Sequence, residues 1–373
     1  MSLKIAMMGL RGIPATHGGI EYTAEALSLE LADRGHDVTV YARNAYAPSR
    51  DATYRGVKLR YLPQLDTKHL EAASHTVLAV LDALRMRRFD VLHIHATGPA
   101  LFSVLPRLVG TPTVVTVHAL DWRREKWGPM ARGALRAGLR IAATVPDRTI
   151  VVSQELERHL REVFGGDPVH IPNGIDPGLF EATEPVEGLE PGGFLLFLGR
   201  LVPEKGIHTL LRAFARTNLR QRLVIAGPGT HSSQYVRELE QLAARDPRVT
   251  LLGPVYGPQK AWLLKNAALM VNPSTLEGMP IVVLEGGACA RPLLLSDIPE
   301  HLEVVRENGT VHAATFPVGN ETALAQELEL AVADPHAPAR GEALRRLVLE
   351  RYRWGTIAES TERVYEEALR VRA

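Results

Sequence analysis

Lys4 to Met8 reads KIAMM, with no polar residue after the lysine. A strand wet on one face alternates apolar and polar residues. An unbroken apolar run instead marks a strand covered on both faces, the pattern of a parallel sheet between layers of helix. The run ends in a glycine-rich loop, GLRGIPATHGG (Gly9 to Gly19), after which Glu21 to Arg34 takes helical spacing and closes on Arg34-Gly35. Asp37 to Tyr41 is the next strand. Strand, glycine loop, helix and strand form the βαβ opening of a doubly wound α/β domain. The loop is not G-x-G-x-x-G, so NAD binding has little support. Gly18-Gly19 would let backbone approach a phosphate, and would serve equally well as plain turn glycines.

The pattern continues. Strands are expected at Val57 to Leu62, Val91 to His95, Thr113 to Val117 and Thr149 to Val152, with helical stretches between. IPNGID (Ile171 to Asp176) is a turn by its Pro and Asn-Gly chemistry. Glu181 to Gly193 is acidic, rich in Pro and Gly and without period, so it reads as a linker. A second α/β series follows, with strands expected at Phe194 to Leu198, Leu223 to Ala226, Val249 to Leu252, Ala268 to Val271, Leu293 to Leu295 and His312 to Phe316. Trp354 to Arg372 is a terminal amphipathic helix. At 373 residues the chain is too long for one ordinary core, which agrees with two domains.

Composition removes several function classes. The net charge of +1 gives no field that favours nucleic acid. A single cysteine, Cys289, cannot form an internal disulfide and agrees with a reducing compartment. The start of the chain lacks a signal-peptide pattern, and Pro106, Arg107 and Pro112 interrupt the longest apolar stretch. A cytoplasmic protein is the expectation.

The chemistry concentrates in LEGMPIVVLE (Leu276 to Glu285). Ahead of it a short buried strand runs into a loop, and Pro280 to Ala290 reads as an apolar helix with Pro280 in its first turn. A helix that opens there turns unpaired N–H groups and a partial positive charge toward a strand end, which makes an anion site. Glu277 and Glu285 flank it, and a wholly helical span would separate them by roughly 12 Å. Anion site between two hydroxyl-binding carboxylates matches the order ribose, pyrophosphate, sugar in a nucleoside diphosphate sugar. Taken alone, both glutamates read equally well as ordinary helix charges.

Other loops add to this. Arg200 and Lys205, in GRLVPEKG after the strand FLLFL, could neutralise a diphosphate from the opposite side. Gly227 to Gly229 and Gly253 to Tyr256 are strand-end loops that could meet a base or phosphate. His118 ends the strand TVVTV at the carboxyl edge, where ligands of open parallel sheets gather. His93 and His95 share one strand face, but no third ligand lies nearby for a metal. Arg132, Arg136 and Arg140 recur every four residues behind Trp122 and Trp127. That basic, tryptophan-flanked element over 122–140 suits an anionic membrane surface or a phosphate-bearing acceptor, or is a solvated helix face.

GR-x4-KG at Gly199 to Gly206, IPNGID at Ile171 to Asp176 and Glu-x7-Glu at Glu277 to Glu285 together resemble the retaining glycosyltransferases of family 4, of GT-B fold. The resemblance covers nearly the whole chain. GLRGIPATHGGIE with HALDWRREKWG (His118 to Gly128) is further similar to a bacterial subgroup assigned to rhamnosyl transfer in cell-surface polysaccharide synthesis. It implies two Rossmann-like parallel-sheet domains facing across a cleft. Residues 1–182 would bind the acceptor, joined by a returning helix at 354–373, and residues 183–353 would bind the nucleotide sugar. It implies that Glu285 holds the ribose, that Arg200 and Lys205 hold the diphosphate, and that Glu277 and His118 meet the sugar. Gly278, Met279 and Ile281 would offer N–H groups, Gly18 and Gly19 would approach the phosphate or sugar, and Gly253, Val255 and Tyr256 would line the base.

The expected reaction moves a sugar from a UDP, GDP or dTDP sugar to a hydroxyl of a glycan or lipid-linked acceptor. The expected location is the cytoplasm, at the inner face of the membrane. Cations and a helix dipole aimed at the departing diphosphate would stabilise charge that develops in the transition state. No Asp-x-Asp motif suited to Mg²⁺ occurs, so no metal and no cofactor are expected. A GT-B-shaped sugar-nucleotide epimerase, a phosphorylase and a non-catalytic sugar-nucleotide-binding protein stay open as alternatives.

Overall fold

The structure is a computed structural model that describes residues 2–16, 18–46, 51–65, 67, 70–229 and 233–372. The chain divides into two compact units, Met1–Gly174 with Trp354–Ala373, and Ile175–Arg353.

In the first unit the order is β1 (Lys4–Met8), α1 (Gly19–Asp33), β2 (Asp37–Arg43), β3 (Thr53–Tyr54), β4 (Val57–Leu62), α2 (Glu71–Met86) and β5 (Val91–His95). It continues through α3 (Val104–Leu108), β6 (Thr113–Val117), α4 (Pro129–Thr144), β7 (Arg148–Val151), α5 (Gln154–Phe164) and β8 (Val169–His170). The eight strands lie in the order β3-β4-β2-β1-β5-β6-β7-β8, parallel except for the β3–β4 hairpin. The chain winds outward in both directions from β1 and β5, which makes their carboxyl ends the topological switch point. One face of the sheet buries Ile5, Met7, Val38, Val40, Val91, Val114 and Ile150 against Ala24, Leu27 and Leu31 of α1. The terminal helix α13 (Trp354–Arg370) adds Ile357, Val364, Tyr365 and Ala368 to the same cluster. The returning helix is thus built into the core of the first unit.

In the second unit the order is β9 (Phe194–Leu198), α6 (Ile207–Phe214), β10 (Arg222–Ala226), α7 (Ser233–Ala243), β11 (Val249–Gly253), α8 (Gly257–Asn266), β12 (Leu269–Asn272) and α9 (Ile281–Ala288). Then come β13 (Leu293–Ser296), α10 (Pro299–Val305), the small hairpin β14 (Arg306–Glu307) and β15 (Thr310–Val311), β16 (Ala314–Phe316), α11 (Glu321–Ala333) and α12 (Ala337–Arg351). Six parallel strands lie in the order β11-β10-β9-β12-β13-β16. Here the switch point is between β9 and β12. The core packs Leu195, Phe197, Leu223, Ile225 and Val271 against Ile207, Leu210 and Phe214 of α6 and Leu324 and Leu328 of α11.

Two expectations shift. The units divide at Gly174, ahead of the boundary expected at 182, because Ile175 already bridges Arg353 and its N–H donates to the Tyr352 carbonyl at 2.8 Å. Nor is Glu181 to Gly193 a free linker. It lies on the second unit, where the Glu184 N–H donates to Pro258 O (3.1 Å) and the Gly192 N–H to Asn266 O (2.8 Å). The IPNGID turn is packed as tightly. A Cβ at Gly174 would fall 2.6 Å from the Trp354 ring, so only glycine admits that indole.

Candidate active site

The switch point of the second unit collects most of the residues singled out in sequence. β9 and β12 are adjacent, so the loop carrying Arg200 and Lys205 runs beside the loop carrying Ser274 and Glu277. Backbone joins the two loops, because the Thr275 N–H donates to the Glu204 carbonyl at 2.9 Å. Gly206, at φ 65°, allows the approach, since a Cβ there would sit 2.2 Å from the Pro273 carbonyl oxygen. The result is a largely buried ion pair, Lys205 Nζ to Glu277 Oε1 at 2.5 Å, with side chains 15% and 9% exposed. The Ser274 hydroxyl lies 2.7 Å from the same oxygen and 2.5 Å from Asn272 Oδ1. Its single proton serves one of them at a time.

Burial alone would push the Glu277 carboxyl up, but the Lys205 ammonium outweighs it and holds the group at about 2. His301 adds to this only when protonated, and burial lowers its own pKa to about 4. At neutral pH the ammonium is therefore the partner that counts. Arg200 follows β9 after Gly199 and is half-buried.

The stretch around Pro280 departs from expectation in one respect. Pro280 is the N-cap residue, with φ −82° and ψ 91°, and the helix proper begins at Ile281. Glu277 therefore stands in the loop and Glu285 on the helix, and helical spacing does not relate them. The helix start still carries N–H groups without intrahelical acceptors at Ile281 and just beyond. Gly278 and Met279 lie buried in the loop ahead of it.

Glu285 is 4% exposed, and its Oε1 is 2.5 Å from Lys260 Nζ. Lys260 went unnoticed in sequence. It sits on α8, and the Gly253 to Tyr256 loop runs straight into that helix with Tyr256 as N-cap residue. The ion pair thus ties Glu285 to the segment expected to line a base. Val255 is buried, whereas the Tyr256 ring is half exposed. Cys289, at the end of α9, has its thiol pushed up to about 11 by burial, in keeping with an inert side chain.

In the first unit the Gly9 to Gly19 loop wraps around carboxylates of α1. The Arg11 N–H donates to Glu21 Oε1 at 3.3 Å and the Ala15 N–H to Glu25 Oε2 at 2.5 Å. Gly18 has φ 105°, and a Cβ there would lie 2.2 Å from Glu21 Oε2. Gly18 and Gly19 are exposed, but the acid beside Gly18 favours hydroxyl groups over a phosphate. Neither glutamate was singled out in sequence.

His118 follows β6 and is 9% exposed. Behind it stand His95 and His93, both fully buried. His95 Nδ1 is 3.1 Å from His118 Nε2, while His93 bonds through Nδ1 to Tyr365 OH (2.8 Å) and through Nε2 to Thr116 Oγ1 (2.7 Å). The His93–His95 pair thus belongs to a packed polar chain. Burial lowers the pKa of His93 to about 3 and of His118 to about 4. On α4, Arg132, Arg136 and Arg140 are exposed, and Arg136 stacks 4.2 Å above the Trp122 ring.

Two open α/β sheets, with the last helix of the chain packed on the first, define the GT-B fold. Solved structures agree. The sucrose-phosphate synthase of Thermosynechococcus elongatus superposes with a TM-score of 0.83 at 22% identity, covering 99% of this chain and 100% of that one. Anabaena HepE, solved in complex with UDP and glucose, gives 0.79 at 20% identity, covering 98% and 99%. Residues 17–179 match the family model for Glycosyltransferase Family 4, and residues 193–334 match the model for Glycosyl transferases group 1. The chain thus carries a Glycosyltransferase Family 4 domain followed by a Glycosyl transferases group 1 domain, as the sequence motifs led one to expect. Among its relatives are a glycogen synthase of Mycobacterium tuberculosis, 29% identical over 410 residues (99% of this chain, 95% of that protein). The phosphatidyl-myo-inositol mannosyltransferase of the same species is 28% identical over 362 residues, covering 94% and 93%.

Proposed function

We propose that this glycosyltransferase moves a sugar, with retention and without a metal, from a nucleoside diphosphate sugar to a hydroxyl of a glycan or lipid-linked acceptor. The observation that carries this reading is the Lys205–Glu277 pair at the switch point of the second unit, beside the start of α9. Arg200, Lys205 and the N–H groups from Gly278 to Ile281 would meet the diphosphate. Glu285 would take the ribose hydroxyls, and Gly253 to Tyr256 would line the base. HepE was solved with UDP and glucose, which supports a donor of this class.

Glu277 is ionised at neutral pH and is a poor base, so its part is to accept hydrogen bonds from sugar hydroxyls. In the transfer the anomeric carbon–oxygen bond to phosphate breaks, leaving an oxocarbenium-like carbon. The acceptor oxygen bonds to the same face, and its proton passes to a departing phosphate oxygen. Negative charge grows on the diphosphate in that step, where Arg200, Lys205 and the helix start stabilise it. His118 would contact the donor sugar, and the Gly18 loop with Glu21 suits hydroxyl groups. The mannosyltransferase relative is named for a lipid acceptor, which supports an acceptor of that kind, met by the Arg132–Arg140 face in the cytoplasm at an anionic membrane. No helix among the described residues is long and apolar enough to cross a membrane.

The test is thermal-shift screening against UDP-, GDP- and dTDP-sugars, followed by turnover with and without acceptor extract and with EDTA. The expected result is stabilisation by one nucleotide class, acceptor-dependent and EDTA-resistant turnover, and a product that keeps the donor's anomeric configuration by NMR. Product formed without acceptor would point to an epimerase. Binding without turnover would point to a non-catalytic sugar-nucleotide-binding protein.

A further inference from the structure

We infer that His95 is a positioning residue that fixes His118 as the Nδ1–H tautomer, so that His118 presents a hydrogen-bond donor to a substrate oxygen. The role of His118 toward substrate rests on the proposed glycosyl transfer. The tautomer does not.

The argument is a proton count. Burial lowers the pKa of both rings, so each is neutral at pH 7 and carries one hydrogen. His95 Nδ1 and His118 Nε2 face each other at 3.1 Å, so one of them donates and the other accepts. His95 Nε2 is buried with no hydrogen-bond partner among the described residues. Suppose that His118 Nε2 donates. His95 must then carry its hydrogen on Nε2, leaving a buried N–H with nothing to accept it. Suppose instead that His95 Nδ1 donates. The orphan is then a lone pair, and unsatisfied acceptors are tolerated more often than unsatisfied N–H groups.

A histidine side chain free in water prefers its hydrogen on Nε2, so the pair adopts the other form only because the pocket of His95 imposes it. His93 cannot take over the part. Both of its nitrogens are engaged by Tyr365 and Thr116, and its ring stacks on His95 at 4.2 Å, holding the plane of the donor. With Nε2 turned inward on His95, Nδ1 is the nitrogen of His118 left for substrate, and it carries hydrogen. His118 then donates to a hydroxyl or ring oxygen and does not act as a base.

The test is long-range ¹H–¹⁵N correlation of the histidine-labelled full chain at pH 7, with the His118 signals identified by their loss in His118→Asn. The expected pattern is a protonated Nδ1 and a bare Nε2 in His118. A protonated Nε2 overturns the inference, whether or not any nucleotide sugar binds, so its failure is separate from that of the transferase reading. Two variants extend the test. His95→Asn can still place an N–H near His118 Nε2, and should keep the Nδ1–H pattern. His95→Phe keeps the stack but loses the donor, and should release His118 to the Nε2–H form. With substrate, His95→Phe should lower kcat about tenfold with little change in KM, and His95→Asn should recover most of that loss. An unchanged tautomer in the folded His95→Phe chain also overturns the inference.

Discussion

Glu277 is held as a carboxylate by an ammonium 2.5 Å away, and that decides what it can do. With its pKa near 2 it accepts hydrogen bonds and leaves proton transfer to other groups. Glu277→Gln keeps the shape and removes the charge. It should lower kcat about 10²-fold with a smaller change in KM, measured by steady-state kinetics. A variant with normal kcat and raised KM would mean that the carboxylate acts only in ground-state binding. Glu277→Ala is a different experiment, because it leaves Lys205 largely buried without its counter-ion. Stability should fall by up to about 3 kcal/mol, and adding Lys205→Met should restore part of it in thermal denaturation. Lys260 gives the matching case. Its ammonium lies 2.5 Å from Glu285 Oε1, so a ribose held by Glu285, as proposed, would have to compete with the lysine or share the carboxylate with it. Glu285→Ala should abolish most nucleotide-induced thermal stabilisation, and Lys260→Ala should change it by less.

At the level of elements, the two loops at the β9–β12 switch point are held by backbone, and the glycine between them is the critical part. Gly206→Ala forces both a positive φ on alanine and a contact 2.2 Å from Pro273 O. It should cost about 1–3 kcal/mol and move Lys205 off Glu277. Thermal denaturation and nucleotide binding of the variant measure both effects, and wild-type values for both would show that the loop can yield. Such loops were half legible in sequence. The buried strands could be read because a parallel sheet covered on both faces demands continuous apolar residues, and Lys4–Met8, Thr113–Val117 and Phe194–Leu198 appear as expected. Lys205 and Glu277 could be singled out because each follows such a strand. Their pairing could not, because it depends on strand order, which no local pattern encodes. Lys260 was hidden for the same reason. It lies on a separate helix from Glu285, and only the packing of α8 beside α9 brings the charges together. Pro280 was misread by one position, since its missing N–H costs the helix no bond at either place and only its extended ψ of 91° puts it outside the helix.

Across the whole molecule, buried histidines set a common limit. His75, His93 and His118 in the first unit and His301 in the second have pKa values lowered by burial to about 4, 3, 4 and 4, and burial puts His95 well below its usual value. In the unfolded chain each ring takes a proton near pH 6.5; in the folded chain His75, His93, His118 and His301 do so only near 3 to 4, and His95 only well below its usual value. Between those values the unfolded state binds more protons, so stability rises with pH and is lost as pH falls from about 6.5 toward 4. Each ring contributes a slope of about 1.4 kcal/mol per pH unit within that window. Glu277 acts lower down. Its stabilising ionisation is complete above about 4.5 and is lost as pH falls toward 2. Both units should therefore weaken well before ordinary carboxylates are protonated, the first more steeply because it holds four of these rings. Differential scanning calorimetry at half-unit steps from pH 7.5 to 4.5 should show the transition temperatures falling throughout. His75→Leu, which removes one buried ring away from the His93–His118 chain, should flatten the slope for the first unit. Transitions that stay level between pH 6.5 and 4.5 would mean that these rings find protons or partners in the folded chain, and would remove the basis for treating His95 and His118 as neutral.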